Sequence, residues 1–290
     1  MPTAPGESST IVVGVGYVGR RVMAALPEDS TVGLSRSGRG AGGRLQRLDL
    51  DADEPRTFSF ENGYSIVYTV PPSRHDDDDV RLKRLLAMLA TPPRRIVYLS
   101  TTGVYGDRGG ALVDENVQPN PESQRAVRRV NAERALSDYC ENNRCDLVIL
   151  RVPGIYGPGR LGIDRIRGGE PVLAEADANP GNRIHVDDLV RCCVAALTNN
   201  VPAGIYNVGD GDERSSTWFA NEVAKQLGLA LPPTVDRKTA EASFSPMRLS
   251  FLRESRRLDL TRMHQVLGVT AKFSDATDGI AASLAEDSDR

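Results

Sequence analysis

Three glycines directly after an apolar segment near the N-terminus constrain this chain more than any other feature. Residues 11–13 are typical of a buried strand, and Gly14, Gly16 and Gly19 follow in the spacing Gly-x-Gly-x-x-Gly. The first glycine permits a tight turn, the second lets the backbone approach a pyrophosphate, and the third lets the next helix pack closely on its strand. The stretch predicts a dinucleotide site whose residues here are Gly14, Gly16, Tyr17, Val18 and Gly19.

The loop after the next predicted strand indicates which dinucleotide is preferred. Residues 30–38 form a short strand pattern that runs into a polar, glycine-bearing loop. NAD sites of this kind carry an acidic residue there, whereas Ser35, Arg36 and Ser37 offer hydroxyls and a guanidinium suited to a 2′-phosphate. We therefore predict NADP(H) as the cofactor and NAD(H) as the less favoured one. The other interpretation of Arg36 is a solvated loop arginine.

Strand patterns alternate with helix patterns over about the first 150 residues. This alternation predicts an α/β fold, a Rossmann-type doubly wound parallel sheet with a smaller C-terminal substrate lobe. The predicted parts are a flexible N-terminus at residues 1–9, a nucleotide-binding domain at 10–155 plus about 183–210, and a substrate-binding lobe at about 156–182 plus 211–290.

Further candidates for the cofactor site follow the predicted strands, because ligands gather at the carboxyl ends of parallel strands. They are Asp49 and Leu50 at the adenine end, Thr69, Val70 and Pro71 at the end of a strand that a double proline stops, Ser100, and Pro153 and Ile155. The acidic run at residues 76–79 favours a helix N-terminus over a metal site.

Composition excludes several classes of function. A net charge of −3 gives no general attraction to nucleic acid or to an anionic membrane. No apolar run reaches the roughly 18 residues of a membrane span, and residues 1–9 do not resemble a signal peptide. The cysteines lack zinc spacing and the histidines are scattered, so we predict no metal. We expect a cytoplasmic protein with a small-molecule substrate and leave its oligomeric state open.

Four further motifs resemble the short-chain dehydrogenase/reductase superfamily, in its extended, NAD-dependent epimerase/dehydratase branch. Residues 100–106 are similar to the family's Ser-[Ser/Thr]-x-x-Val-Tyr-Gly element, and residues 150–159 to its Leu-Arg-x₄-Tyr-Gly-Pro-Gly element. Residues 183–190 resemble its Arg-x-His-Val-x-Asp element, and residues 204–209 its Tyr-Asn-Val-Gly strand. The resemblance covers residues 11 to about 210.

The resemblance implies roles for hydroxyl groups in the first of these motifs. The hydroxyl three positions before the motif's valine, here Thr101, would polarise a substrate carbonyl. The alternative is that Thr101 caps a nearby turn. Tyr105 is the first choice for a proton donor, ahead of Tyr156 and His185.

One departure from the family pattern is important. The family's acid/base pair is Tyr-x-x-x-Lys, but alignment on Glu133 places Arg125 and Arg129 at those two positions. An arginine stays protonated near neutral pH and cannot exchange a proton as a phenol does. Arg129 can still hold ribose hydroxyls or a phosphate of the cofactor.

These observations predict an NADP(H)-dependent oxidoreductase that transfers hydride to or from a carbonyl or hydroxyl group of a small polar substrate. The alternatives are a sugar-nucleotide epimerase or dehydratase, and a non-catalytic NADP-binding sensor or scaffold, which loss of the Tyr/Lys pair would suit. A group of arginines late in the chain could bind an anionic substrate, and the alternative is that it forms a solvated basic face. These arginines are at positions 248, 253, 256 and 257. Substrate identity, reaction direction and proton donor stay open.

Overall fold

The computed structural model describes residues 9–38, 44–52, 57–60, 62–73, 77–198 and 200–288. Residues 1–8 of the predicted flexible N-terminus and Asp76 lie outside them. The strands are β1 (Thr10–Val13), β2 (Thr31–Ser35), β3 (Leu45–Arg47), β4 (Ser65–Tyr68), β5 (Arg95–Thr101), β6 (Leu112–Val113), β7 (Asp146–Val152), β8 (Gly154–Tyr156), β9 (Val172–Leu173), β10 (Arg183–His185), β11 (Gly204–Asn207), β12 (Thr234–Val235) and β13 (Arg257–Leu258). The helices are α1 (Tyr17–Ala24), α2 (Val80–Met88), α3 (Gln124–Asn143), α4 (Ile163–Arg167), α5 (Val186–Ala196), α6 (Ser216–Gln226), α7 (Arg237–Ser243), α8 (Pro246–Arg253), α9 (Thr261–Gln265) and α10 (Ala276–Ser288).

Seven strands form one sheet in the order β11-β7-β5-β4-β1-β2-β3, and all their pairings are parallel. The chain runs from β1 outward to β3 and then crosses back to β4 on the other side of β1. This reversal opens a crevice at the carboxyl ends of β1 and β4, the place where doubly wound sheets bind ligands. The predicted Rossmann-type doubly wound parallel sheet is confirmed.

Both faces of the sheet are covered, which explains the nearly continuous apolar strand segments. Val12 packs on one face with residues of α1 and α5, including Val22 and Leu189. Its neighbours Ile11 and Val13 point to the opposite face, where α2 and α3 contribute their buried residues. The alternation of side chains along a strand therefore builds two cores from one segment.

The acidic run before α2 acts as predicted. Asp79 is the N-cap of α2, and its carboxylate accepts a hydrogen bond of 3.1 Å from the backbone N–H of Leu82. A carboxylate at this position satisfies a free N–H group and complements the helix dipole.

A separate cluster of buried residues joins α4, α6 and α10, among them Ile166, Val223 and Ile280. Other short parallel pairs are β6 with β13, β8 with β10, and β9 with β12. The division into a nucleotide-binding domain and a substrate lobe stays a prediction. A membrane-spanning helix would have to be longer and more apolar than any helix within the described ranges.

Close packing of α1 against the glycine turn gives a first prediction. A Cβ on Gly19 would lie 2.1 Å from the Gly14 carbonyl oxygen, whereas one on Gly16 would meet nothing within 4 Å. We expect Gly19→Ala to lower the free energy of unfolding by about 1–3 kcal/mol, because overpacking forces the backbone to move. Gly16→Ala is the matched control and should change it by less than about 0.5 kcal/mol. Equal stability of the two variants in urea denaturation would contradict this packing role.

Candidate functional site

A cavity of about 610 Å³ lies at the carboxyl ends of the central strands, beside the reversal between β1 and β4. Its wall contains most of the residues predicted to bind the cofactor. These are Gly14, Gly16, Tyr17, Val18, Ser35, Arg36, Ser37, Leu50, Thr69, Val70, Pro71, Ser100, Arg129 and Ile155. The size and position of the cavity suit an extended dinucleotide.

The glycine turn forms a narrow cradle at one part of this wall. Gly14 has a φ of +93°, and a Cβ there would lie 2.7 Å from Val70 Cγ2 and 2.9 Å from Thr69 Oγ1. The Thr69 hydroxyl donates a 2.5 Å hydrogen bond to the Gly14 carbonyl and fixes the turn. No side chain caps the N-terminus of α1, so its first N–H groups are available to a pyrophosphate. The residues present therefore fit a dinucleotide phosphate.

Arginine side chains pack on the ring of Tyr17 beside this cradle. Its hydroxyl donates a 3.0 Å hydrogen bond to the Pro158 carbonyl, and the Arg160 and Arg21 guanidinium carbons lie 3.9 and 4.4 Å from its ring centroid. Arg160 also lines the cavity. The sequence analysis missed Arg160, although it directly follows the Tyr-Gly-Pro-Gly motif.

The end of β2 and the segment after β3 form the opposite part of the wall. Ser35, Arg36 and Ser37 lie there, together with Asp51 and Arg81, which the sequence analysis missed. The Asp51 carboxylate accepts hydrogen bonds of 2.7 and 2.6 Å from Arg81, and these bonds hold its pKa below the usual range. The one carboxylate in the described wall is thus already paired.

Three predicted cofactor residues do not line the cavity. Asp49 does not line the cavity, whereas Asp51 does, and the Asp49 carboxylate accepts a 3.0 Å hydrogen bond from the Asp51 backbone N–H. Gly19 is buried beneath the turn, where its lack of a side chain lets α1 pack close to Gly14. Pro153 is half-buried between β7 and β8. Within the described residues, no group of three or more His, Cys, Asp or Glu side chains is arranged to hold a metal ion.

A buried polar group underlies the end of β5. The Ser100 hydroxyl donates a 2.5 Å hydrogen bond to Glu133 Oε1, and Arg151 donates a 2.8 Å bond to Glu133 Oε2. The next residue, Thr101, is half-buried and accepts a 3.2 Å hydrogen bond from the Gly103 N–H, which caps the 3₁₀ turn Thr102–Tyr105. Thr101 thus has the capping role considered as its alternative, and it does not itself line the cavity, whereas its neighbour Ser100 does.

Tyr105 has a different role from the predicted one. It is 0% exposed, and its hydroxyl donates a 2.7 Å hydrogen bond to Asn207 Oδ1. It does not line the cavity, and burial raises its pKa above the ordinary value. The structure therefore corrects the assignment of Tyr105 as proton donor, because its hydroxyl faces β11 instead of the site.

The other two candidates for the proton donor are also held inside the protein. His185 Nδ1 accepts a 3.2 Å hydrogen bond from the Asp187 N–H and caps α5, and its Nε2 lies 3.1 Å from Ser283 Oγ. Tyr156 is buried, and burial raises its pKa. Neither lines the cavity, where Tyr17 is the one titratable phenol among the described residues.

Two arginines on α3 stand at the positions of the family's Tyr/Lys pair. Arg129 lines the cavity and donates from Nη1 to the Tyr98 hydroxyl at 3.0 Å and to the Leu99 carbonyl at 2.8 Å. Arg125 lies one turn earlier with an exposed side chain. Both positions carry guanidinium groups, so neither supplies the phenol of the family's pair.

A family model described as "NAD dependent epimerase/dehydratase family" matches residues 10–209. The chain belongs to this family. The assignment confirms the predicted family and its class of enzyme, and it supports a nicotinamide cofactor.

Relatives and solved structures are similar to much of this chain. UDP-glucose 4-epimerase of Mycolicibacterium smegmatis is 30% identical over 206 residues, which cover 66% of this chain and 61% of that protein. A structure of a functionally unknown conserved protein from Silicibacter pomeroyi has a TM-score of 0.80 and 29% identity, covering 97% of this chain and 99% of its own.

A structure of UDP-glucuronic acid 4-epimerase from Bacillus cereus in complex with NAD has a TM-score of 0.71, 18% identity, and coverage of 97% of this chain and 99% of its own. At that identity the likeness concerns the fold.

The buried hydroxyl of Tyr105 gives a second prediction. Tyr105→Phe should lower the free energy of unfolding by about 1–3 kcal/mol, because Asn207 Oδ1 would be buried without a donor. Chemical denaturation measures this effect. NADPH affinity, measured by fluorescence titration, should stay unchanged because Tyr105 lies outside the cavity. A loss of affinity with unchanged stability would contradict the structural role.

Proposed function

We propose that the protein is an NADP(H)-dependent oxidoreductase acting on a carbonyl or hydroxyl group of a small polar substrate. One observation carries the proposal: a single cavity runs from the glycine cradle to the hydroxyl and guanidinium groups at the end of β2 and to the end of β5. A bound nicotinamide would supply or accept a hydride there. The chain's own residues would bind the cofactor, orient the reacting oxygen and exclude water.

The charge of the wall supports NADP(H) over NAD(H). Its described residues include four arginines and one aspartate, Asp51, whose carboxylate is paired with Arg81. The strand end that carries a carboxylate in NAD sites has Ser35 here, followed by Arg36. A guanidinium with neighbouring hydroxyls binds a phosphate ester well.

We expect Arg36→Asp to reduce or reverse the preference for NADPH over NADH. Because a hydrogen bond to a charged group contributes about 1.5–3 kcal/mol, the ratio of the two affinities should change about ten- to hundredfold. Fluorescence titration of the purified variants with both cofactors measures the ratio.

Arg47→Asp is the charge-matched control, because Arg47 lies on the neighbouring strand β3 and does not line the cavity. Its ratio should stay close to that of the wild type. Equal NADPH and NADH affinities in the wild type would remove the argument from Arg36.

Thr101 is the residue we propose to orient the reacting oxygen. Its hydroxyl oxygen accepts a 3.2 Å hydrogen bond from the Gly103 N–H, and Thr101 directly follows Ser100, which lines the cavity. A positioned donor of this kind stabilises charge that develops on a carbonyl oxygen during hydride transfer. The neighbouring Ser100 hydroxyl is bound to Glu133 instead.

Thr101→Val should lower turnover about tenfold or more while NADPH affinity stays nearly intact. Thr101→Ser keeps the hydroxyl and should restore most of the activity. The assay follows NADPH absorbance against a panel of carbonyl compounds. Unchanged turnover in the valine variant would remove Thr101 from the mechanism.

Two other functions have one observation each in their favour. Relatives named as UDP-sugar 4-epimerases favour sugar-nucleotide epimerisation. Arginines at the positions of the acid/base pair favour an NADP-binding sensor without turnover. Interconversion of UDP-sugars without net change of the cofactor would support the first, and tight cofactor binding with no reaction across both substrate panels would support the second.

A further inference from the structure

The loop after β8 is fixed against the glycine turn, and it brings one arginine to the cavity wall. The Pro158 carbonyl accepts the 3.0 Å hydrogen bond from the Tyr17 hydroxyl, and the Gly159 N–H donates a 2.8 Å bond to Asp287 Oδ2 of α10. The next residue, Arg160, lines the cavity. These two bonds hold the backbone that precedes Arg160 beside α1.

The guanidinium of Arg160 packs on an aromatic ring and keeps its hydrogen-bond donors available. Its central carbon lies 3.9 Å from the Tyr17 ring centroid, within the range of a cation–π contact. Within the described part of the chain, no group accepts a hydrogen bond from this guanidinium and no carboxylate forms an ion pair with it. A stacked guanidinium uses its flat face, so the N–H groups around its edge can still bind oxygens.

The second arginine on the Tyr17 ring has a different environment. The Arg21 guanidinium carbon lies 4.4 Å from the ring centroid, but its side chain donates to the Tyr17 carbonyl at 3.3 Å and pairs with Glu286 at 3.3 Å. Arg21 does not line the cavity. Of these two cations, Arg160 is therefore the one that a ligand in the cavity can reach.

The other described arginines of the wall have different surroundings. Arg81 pairs with Asp51, and Arg129 donates both of its hydrogen bonds to groups of β5. Arg36 lies at the end of β2, where we propose that it binds the 2′-phosphate. Arg160 is thus the wall arginine that packs on the first residue of α1.

The pyrophosphate is the part of a dinucleotide that suits this region. No side chain caps the N-terminus of α1, so its first N–H groups and the helix dipole attract negative charge. Arg160 adds a full positive charge on the ring of Tyr17, the first residue of that helix. Backbone donors together with a fork-shaped cation can bind several oxygens at once, and a diphosphate has more of them than a single carboxylate.

We propose that Arg160 binds the pyrophosphate of the cofactor, and that the ring of Tyr17 holds its guanidinium in place. The inference rests on the proposed function, because it requires a dinucleotide in this cavity. It goes beyond that function because NADPH and NADH share the pyrophosphate. Arg160 then contributes to the strength of cofactor binding, whereas Arg36 sets the preference between the two cofactors.

Fluorescence titration of the purified protein with NADPH and with NADH tests this role. Arg160→Gln should weaken the binding of both by a similar factor of about ten or more, because charge-assisted hydrogen bonds to the pyrophosphate are lost. Arg21→Gln is the matched control, since it removes a guanidinium from the same ring. That charge is already paired with Glu286, so both affinities should change less than about twofold. Circular dichroism checks that each variant is folded.

Adenosine 2′-monophosphate distinguishes the two phosphate sites, because it carries the 2′-phosphate without a pyrophosphate. Calorimetric titration measures its binding. Arg160→Gln should bind it as the wild type does, whereas Arg36→Asp should bind it more weakly. Loss of this ligand in Arg160→Gln, to the same extent as loss of NADPH, would show a general effect of charge and overturn the proposal.

The role of Arg160 and the preference for NADP(H) fail on different results. Wild-type affinity of Arg160→Gln for both dinucleotides overturns the role of Arg160, and the proposed function then stands if the wild type prefers NADPH. Equal affinity of the wild type for the two dinucleotides, with both weakened in Arg160→Gln, overturns the preference and supports the role of Arg160. If neither dinucleotide binds to the wild type, both proposals are wrong.

Discussion

Glu133 connects the elements on which the reacting part of the cavity depends. Its carboxylate lies between the Ser100 hydroxyl at the end of β5 and the Arg151 guanidinium at the end of β7, and all three residues are buried. A buried ion pair recovers its desolvation cost only when further hydrogen bonds satisfy it. Here the serine supplies one, and the result fixes α3 against both strands. This attachment holds Arg129 of α3 at the cavity wall.

The polar contacts of Glu133 extend through Arg151 to β11 at the edge of the sheet. The Arg151 guanidinium carbon lies 4.8 Å from the Tyr105 ring centroid, Tyr105 binds Asn207, and the Asn207 N–H donates to Glu115 at 2.8 Å. A polar network of this kind is stabilising when its members are satisfied. Tyr105 of the family motif therefore has a structural role, because it connects Arg151 of β7 with Asn207 of β11.

Local patterns in the sequence were sufficient for the sheet, the glycine turn and the Asp79 cap, because each follows from residues close together in the chain. The errors have a common cause. Asp49 and Asp51 alternate with the buried Leu48 and Leu50, so the local pattern does not distinguish the two carboxylates. The hydrogen bond between Asp51 and Arg81, a residue 30 positions later in the chain, is not visible in that pattern. Likewise the partner of Tyr105 lies 102 residues away. In both cases the position of the side chain depends on a contact with a residue far away in the sequence.

Replacement of a phenol and an ammonium by two guanidinium groups changes what this part of the site can do. Even with a lowered pKa, Arg125 stays charged near neutral pH, since an arginine begins above about 12. It therefore cannot give a proton to the oxygen that forms when a carbonyl accepts a hydride. A guanidinium can still stabilise that oxygen's negative charge, or hold an adjacent carboxylate or phosphate so that the carbonyl meets Thr101. Under our proposal α3 contributes binding and charge instead of acid/base chemistry.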